Sequence, residues 1–145
     1  MGVYSIRIDE PDDENRLSNQ VIDSIQECFK LIQEQADAKV ILVFGGDRFF
    51  LSGGAEEREN LIKRKALSFT VDCPLPVIAA MKGSWLGTGW LLACLCDFMV
   101  CSREGLYQYH LQEDTWLPSQ EEAALFAERF GEDSKTFLFH SSKPL

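Results

Sequence analysis

Pro76-Val77-Ile78-Ala79-Ala80-Met81-Lys82-Gly83-Ser84-Trp85-Leu86-Gly87-Thr88-Gly89 is the stretch on which the fold turns. Its first half is a short apolar run opened by a proline, the pattern of a strand buried on both faces. Its second half spaces three glycines over seven residues, the pattern of a turn in which backbone must pass close to something else. An apolar helix over residues 90–96 is expected next, then Asp97 as a break, then a strand over residues 98–101 and a further one over 106–110.

Working outward, the same pairing of strand and glycine turn occurs once before. Lys39-Val40-Ile41-Leu42-Val43-Phe44 is a continuous, largely β-branched run ended by Gly45-Gly46, and Phe50-Leu51-Ser52-Gly53-Gly54-Ala55 follows it. Towards the N-terminus, Tyr4-Ser5-Ile6-Arg7-Ile8-Asp9 alternates apolar and polar residues like a half-buried strand. From Ser18, a good N-cap, Val21, Ile22, Ile25, Cys28, Phe29 and Ile32 fall on one helical stripe ending near Gln35. Residues 55–69 are charged and helix-favouring, and Cys73-Pro74-Leu75-Pro76 interrupts them. Helices are expected over 120–130 and 134–139, with a turn at Gly131. Strand, helix, strand order places the chain in the α/β class, as one domain over residues 1–145.

Composition narrows the function. A net charge of −9 and a pI near 4.7 argue against nucleic acid and anionic membranes as partners, since both need basic surface. The one dense basic run, Lys63-Arg64-Lys65, reads as a solvated helix face. Five cysteines without CxxC spacing, three of them in apolar runs, read as reduced, buried thiols, and no His/Cys/carboxylate cluster has metal-ligand spacing. With no apolar stretch long enough to span a bilayer and no leader pattern at Met1, a cytoplasmic location is expected.

Glycine turns that follow buried strands can aim backbone amides at one oxygen. An acyl thioester needs such donors when negative charge develops on its carbonyl, and one fixed donor contributes about 3 kcal/mol there. Spacing alone leaves a purely structural role for the turns equally open.

Asn15-Arg16-Leu17-Ser18, Val40-Ile41-Leu42, Phe50-Leu51-Ser52-Gly53-Gly54, Pro76-Val77-Ile78-Ala79-Ala80-Met81-Lys82-Gly83, Gly87-Thr88-Gly89 and Cys96-Asp97-Phe98 together resemble the crotonase (enoyl-CoA hydratase/isomerase) superfamily, in order, from about Ser5 to Pro118. The resemblance implies a crotonase-like ββα spiral core, here truncated before the family's C-terminal helical region. It also implies oxyanion-hole amides at Gly54 and Gly87. Ser52-Gly53-Gly54, Trp90-Leu91-Leu92, Ser102-Arg103-Glu104, Leu106-Tyr107 and Trp116-Leu117-Pro118 are most similar to the decarboxylating domains of polyketide β-branching cassettes, which act on a methylglutaconyl group. The substrate would then ride on the phosphopantetheine of an acyl-carrier protein, or on CoA, with no separate cofactor.

Departures from the family pattern bear on the reaction. Leu91 and Leu111 stand where family hydratases carry their two glutamates, so hydration lacks its acid/base pair. Loss of CO₂ generates the enolate directly and asks only for the oxyanion hole, a cation and a proton source. Lys63 or Lys65 falls near the lysine of the resembled decarboxylases. No residue matches their C-terminal histidine. His110 lies near the second lost glutamate, where proton transfer and a structural role are both open, and His140 sits in the tail.

Two readings follow. In the first, which the shortened length favours, the domain is catalytically incomplete and serves docking or dimerisation, with Trp85, Trp90, Trp116 and residues 137–139 in the contact and a homo-oligomer as the product. In the second it is an active decarboxylase. Partners in either case are an acyl-carrier protein or neighbouring polyketide synthase domains. Plain carrier-protein binding without chemistry is a further reading, in which an acidic carrier would meet the basic face from Arg58 to Lys65.

Overall fold

The computed structural model describes residues 2–9, 17–45, 50–51, 61–63, 68–108 and 120–133. Strand β1 (Val3–Ile8) leads into helix α1 (Asn19–Gln33), which returns the chain to β2 (Val40–Gly45). The order continues with β3 (Phe50–Leu51), the short α2 (Ser68–Val71), β4 (Val77–Met81), β5 (Ser84–Leu86), α3 (Thr88–Cys94), β6 (Phe98–Cys101), β7 (Tyr107–Gln108) and α4 (Gln120–Phe130).

The strands form two all-parallel sheets, β1-β2-β4-β6 and β3-β5-β7. Each pass of the chain therefore lays one strand in the first sheet and the next in the second: β2 then β3, β4 then β5, β6 then β7. This is the ββα spiral that the resemblance implied. The turn between β4 and β5 is short because the chain only changes sheet there.

Local chemistry explains the elements. Ser18 caps α1 by accepting from the Val21 N–H at 3.3 Å, and Val21, Ile22, Ile25, Phe29 and Ile32 are buried. Each of those side chains stabilises the fold by about 2 kcal/mol relative to exposure. They join one core with Ile6 and Ile8 of β1, Ile41 and Val43 of β2, Val77, Ala79 and Met81 of β4, and nearly all of α3. Gly131, at φ 84°, ends α4 in the left-handed conformation that suits glycine.

Several expectations change. β2 and β4 alternate between buried and half-buried positions instead of being buried on both faces, because side chains on one face only meet the main core. The turn after β4 contains a strand, β5, and α3 starts and ends two residues earlier than the apolar pattern suggests. β7 belongs to the second sheet and starts one residue later than expected, with the last two residues of the expected strand, 109 and 110, outside the described residues. Cys94 and Cys96 are buried, but Cys28 and Cys73 are half-buried and Cys101 is exposed on the edge strand β6, so burial holds for two of the five thiols. Most of residues 55–69 and the expected helix over 134–139 lie outside the described residues.

Asp97 ties the start of β4 to its neighbours. Its Oδ2 accepts from the Val77 N–H at 2.8 Å, its own N–H donates to the Val77 carbonyl at 2.8 Å, and its Oδ1 accepts from Arg129 of α4 at 2.8 Å. Burial by itself would raise the Asp97 pKa, but the Arg129 and Val77 hydrogen bonds and the guanidinium charge hold it below its ordinary 3.8. A carboxylate lowered in this way stabilises the folded state fully above its unfolded pKa and loses that contribution as pH falls through the lower folded value. Asp97→Ala is expected to cost about 2 kcal/mol at neutral pH, a figure typical of hydrogen bonds to a charged group. In urea unfolding followed across pH, the gap between wild type and Asp97→Ala should shrink below pH 3.8.

Candidate functional site

The site begins where β4 runs out. After Met81 the chain bends at Lys82 and Gly83, forms β5, and reaches Gly87, which precedes α3. Gly87 has φ 54° and ψ −121°, a region that side chains other than glycine strongly disfavour. Its carbonyl accepts the first helical bond of α3 from the Leu91 N–H at 3.0 Å. The helix has a glycine N-cap with no side-chain capping bond, and amides at the start of a helix have no partner within it.

α3 is buried along its whole length. Leu91, one turn beyond Gly87, and Leu92 have no exposed surface. No carboxylate stands on this helix, so Leu91, where the resemblance implied a glutamate in hydratases, is part of an apolar, desolvated wall. Cys94 and Cys96 at its end are inert core thiols: burial raises the Cys94 pKa, and burial with the nearby Asp97 pushes Cys96 up to about 12. Trp85 and Trp90 are both buried, at 0% and 5% exposure, which settles them as core residues of the turn.

The second sheet braces the turn. The Trp85 N–H donates to the Leu106 carbonyl at 3.0 Å, and the Leu106 N–H donates to Ser84 Oγ at 3.0 Å. The Tyr107 hydroxyl lies 3.0 Å from the carbonyls of Met81 and Ser102, and its ring packs against Trp90 at 5.9 Å between centroids. Burial raises the Tyr107 pKa, so this hydroxyl stays protonated as a donor. Sequence reasoning missed both bracing residues, Ser84 and Tyr107. The nearest sequence signal is Gly105, where an added Cβ would collide with the Tyr107 hydroxyl.

Of the residues predicted for the site, Gly87 and Lys63 are described. Lys63 is exposed on a helical turn whose Leu61 and Ile62 enter the same core as α3. Gly54, Lys65 and His110 lie outside the described residues, as do Leu111, Trp116 and His140. Surface hollows lined by described residues lie elsewhere. One, of about 610 Å³, is lined by Pro74, Leu75, Asp97, Phe98 and Arg129, and another, of about 400 Å³, lies between β1 and α1. Neither borders Gly87.

Residues 1–113 match the family described as enoyl-CoA hydratase/isomerase. The chain belongs to that family. Among curated members it is 25% identical over 138 residues to the bacillaene synthase decarboxylase PksI of Bacillus subtilis, covering 90% of this chain and 55% of that one. It is 27% identical over 128 residues to the mitochondrial Δ(3,5)-Δ(2,4)-dienoyl-CoA isomerase of Rattus norvegicus, covering 73% and 39%. Among solved structures, the ECH2 decarboxylase domain of CurF from Lyngbya majuscula superposes with a TM-score of 0.72 at 25% identity, covering 99% of this chain and 62% of that one. An enoyl-CoA hydratase/carnithine racemase from Magnetospirillum magneticum shares the fold with a TM-score of 0.79. The crotonase fold and the family membership expected from the sequence both hold, and the chain spans roughly four- to six-tenths of the length of these relatives.

Gly87 is a position of this family member that a side chain would strain through the backbone alone. Gly87→Ala forces a Cβ into a backbone region that costs about 1–3 kcal/mol for such residues. Chemical denaturation should show a loss of that size, whereas Gly131→Ala, at a φ of 84° with nothing within 4 Å of the added carbon, should lose less.

Proposed function

We propose that this chain is an acyl-thioester domain of the polyketide β-branching type, whose reaction is decarboxylation of a 3-methylglutaconyl group on an acyl-carrier protein. The observation that carries this reading is the pairing of Gly87, in a glycine-only conformation at the head of α3, with the fully buried Leu91 one turn on. An amide donor next to an apolar wall stabilises an enolate oxygen but supplies no base to activate water. The reading is supported by two matched proteins that are themselves named as decarboxylases, PksI and the ECH2 domain of CurF.

In the reaction the carbon–carbon bond to the departing carboxylate breaks, and CO₂ leaves. The electron pair stays on the acyl group as an enolate spread onto the thioester oxygen, where Gly87 and Gly54 serve as donors. A proton then adds to carbon, which gives a methylcrotonyl thioester. Lys63 or Lys65 serves as the cation that holds the carboxylate. Incubation with 3-methylglutaconyl-loaded acyl-carrier protein should give catalytic loss of CO₂ by mass spectrometry, with Lys63→Ala or Lys65→Ala slowing it about a hundredfold or more, as expected when a charged partner worth about 3 kcal/mol is removed. A folded wild-type chain that leaves the acyl group intact would remove the catalytic reading.

The docking reading has its own observation. Among the described residues β6 is an edge strand of the first sheet, and its Phe98, Met99 and Val100 are 61%, 41% and 61% exposed. No charged residue stands within the strand, although free edges are commonly guarded by charge. We infer a homo-oligomer in which β6 pairs antiparallel with β6 of a second copy about a two-fold axis. Sedimentation should show a concentration-dependent dimer that Val100→Lys abolishes, with Cys101 slower to alkylate as the dimer forms. A strictly monomeric wild type at high concentration would contradict it.

A further inference from the structure

Thr88 immediately follows Gly87 and has no exposed surface, and its Oγ1 has no hydrogen-bond partner. The physical reason lies in its position. A threonine within a helix commonly satisfies its hydroxyl on the carbonyl three or four residues back. At the first position of α3 those residues are Ser84 and Trp85 of β5, whose carbonyls follow strand geometry. Valine would fill the same volume with no desolvation cost, so an unpaired hydroxyl here is a cost that the apolar core does not require. On its own face of the helix Thr88 is accompanied by Leu91 and Leu92, which offer it nothing polar.

We propose that Thr88 is a ligand-binding residue: its hydroxyl donates to the carbonyl oxygen of the acyl thioester held against Gly87. The inference rests on the acyl-thioester reading above and adds to it a side-chain donor beside the backbone amide. Because the hydroxyl is already stripped of water, its bond to the carbonyl is formed without a further desolvation cost on the protein side. Thr88 is enclosed in the free protein, so the acyl group reaches it as the side chains over it part.

The test compares two ligands that differ only in the carbonyl, pentanoyl-CoA and its thioether S-pentyl-CoA, on wild type, Thr88→Val and Thr88→Ser. Wild type is expected to prefer the thioester. Thr88→Val should bind pentanoyl-CoA about fivefold more weakly, the loss typical of one hydrogen bond, and bind S-pentyl-CoA unchanged. Thr88→Ser should keep the preference, and the melting temperature of ligand-free Thr88→Val should not fall. Equal affinities of wild type and Thr88→Val for pentanoyl-CoA would overturn the inference, as would an equal loss on both ligands or a lower melting temperature for free Thr88→Val. A wild type that binds neither ligand, or both alike, would remove the acyl-thioester reading and Thr88's role with it.

Discussion

Everything near Gly87 depends on β4 being fixed at both ends. At its start, Val77 exchanges two hydrogen bonds with Asp97, one to the backbone and one to the carboxylate, and Arg129 holds that carboxylate from α4. At its end, the Met81 carbonyl is within 3.0 Å of the Tyr107 hydroxyl. Between the two, β4 is in parallel register with β2 and β6. A strand pinned in this way sets where the chain leaves the first sheet, and β5 then has only three residues before Gly87. The position of the turn is inherited from the strand, and the turn itself needs only a residue that accepts a positive φ.

This arrangement divides the molecule chemically. The end of the sheet that carries Asp97 and Arg129 is charged and open, with a broad hollow beside Phe98. The end that carries Gly87 is enclosed by α3, Trp85 and Tyr107, and its polar groups include backbone amides, the Thr88 hydroxyl and the Tyr107 hydroxyl that braces the turn. A low-dielectric wall with few, fixed donors suits charge that appears on a carbonyl only during reaction, since those donors need no reorganisation. It is unsuited to activating water. On the proposed reading the family's fold persists here with a different balance of chemistry, because backbone geometry at the turn would serve an oxyanion while Leu91 offers no acid or base to water.

Much of this was legible in the residues because the signals were local. The α1 stripe from Val21 to Ile32, the Ser18 cap, β6 and α4 follow from short-range periodicity and capping, and all appear at or within two residues of the expected limits. The switch between sheets was not legible. Ser84-Trp85-Leu86 is too short to show a strand period, and its pairing with β3 and β7 is decided by segments far away in the chain. Exposure of β6 was hidden for a similar reason. Phe98-Met99-Val100 reads as core by composition, and only its place at the sheet edge leaves it uncovered. At the site, Gly87 was legible through glycine spacing and family resemblance. Tyr107 and the unpaired Thr88 hydroxyl were not, since a hydrogen bond, made or missing, between distant segments leaves no trace in spacing.

The measurement that bears most directly on the central claim is the infrared difference spectrum of an acyl thioester, carbon-13 labelled at its carbonyl, bound to the wild-type chain. Fixed donors at the turn after β4 should polarise the carbonyl and move its stretch to lower frequency on binding. A bound thioester whose carbonyl band stays at its solution position would mean that Gly87 and its neighbours hold no oxyanion, and that the turn serves the fold alone.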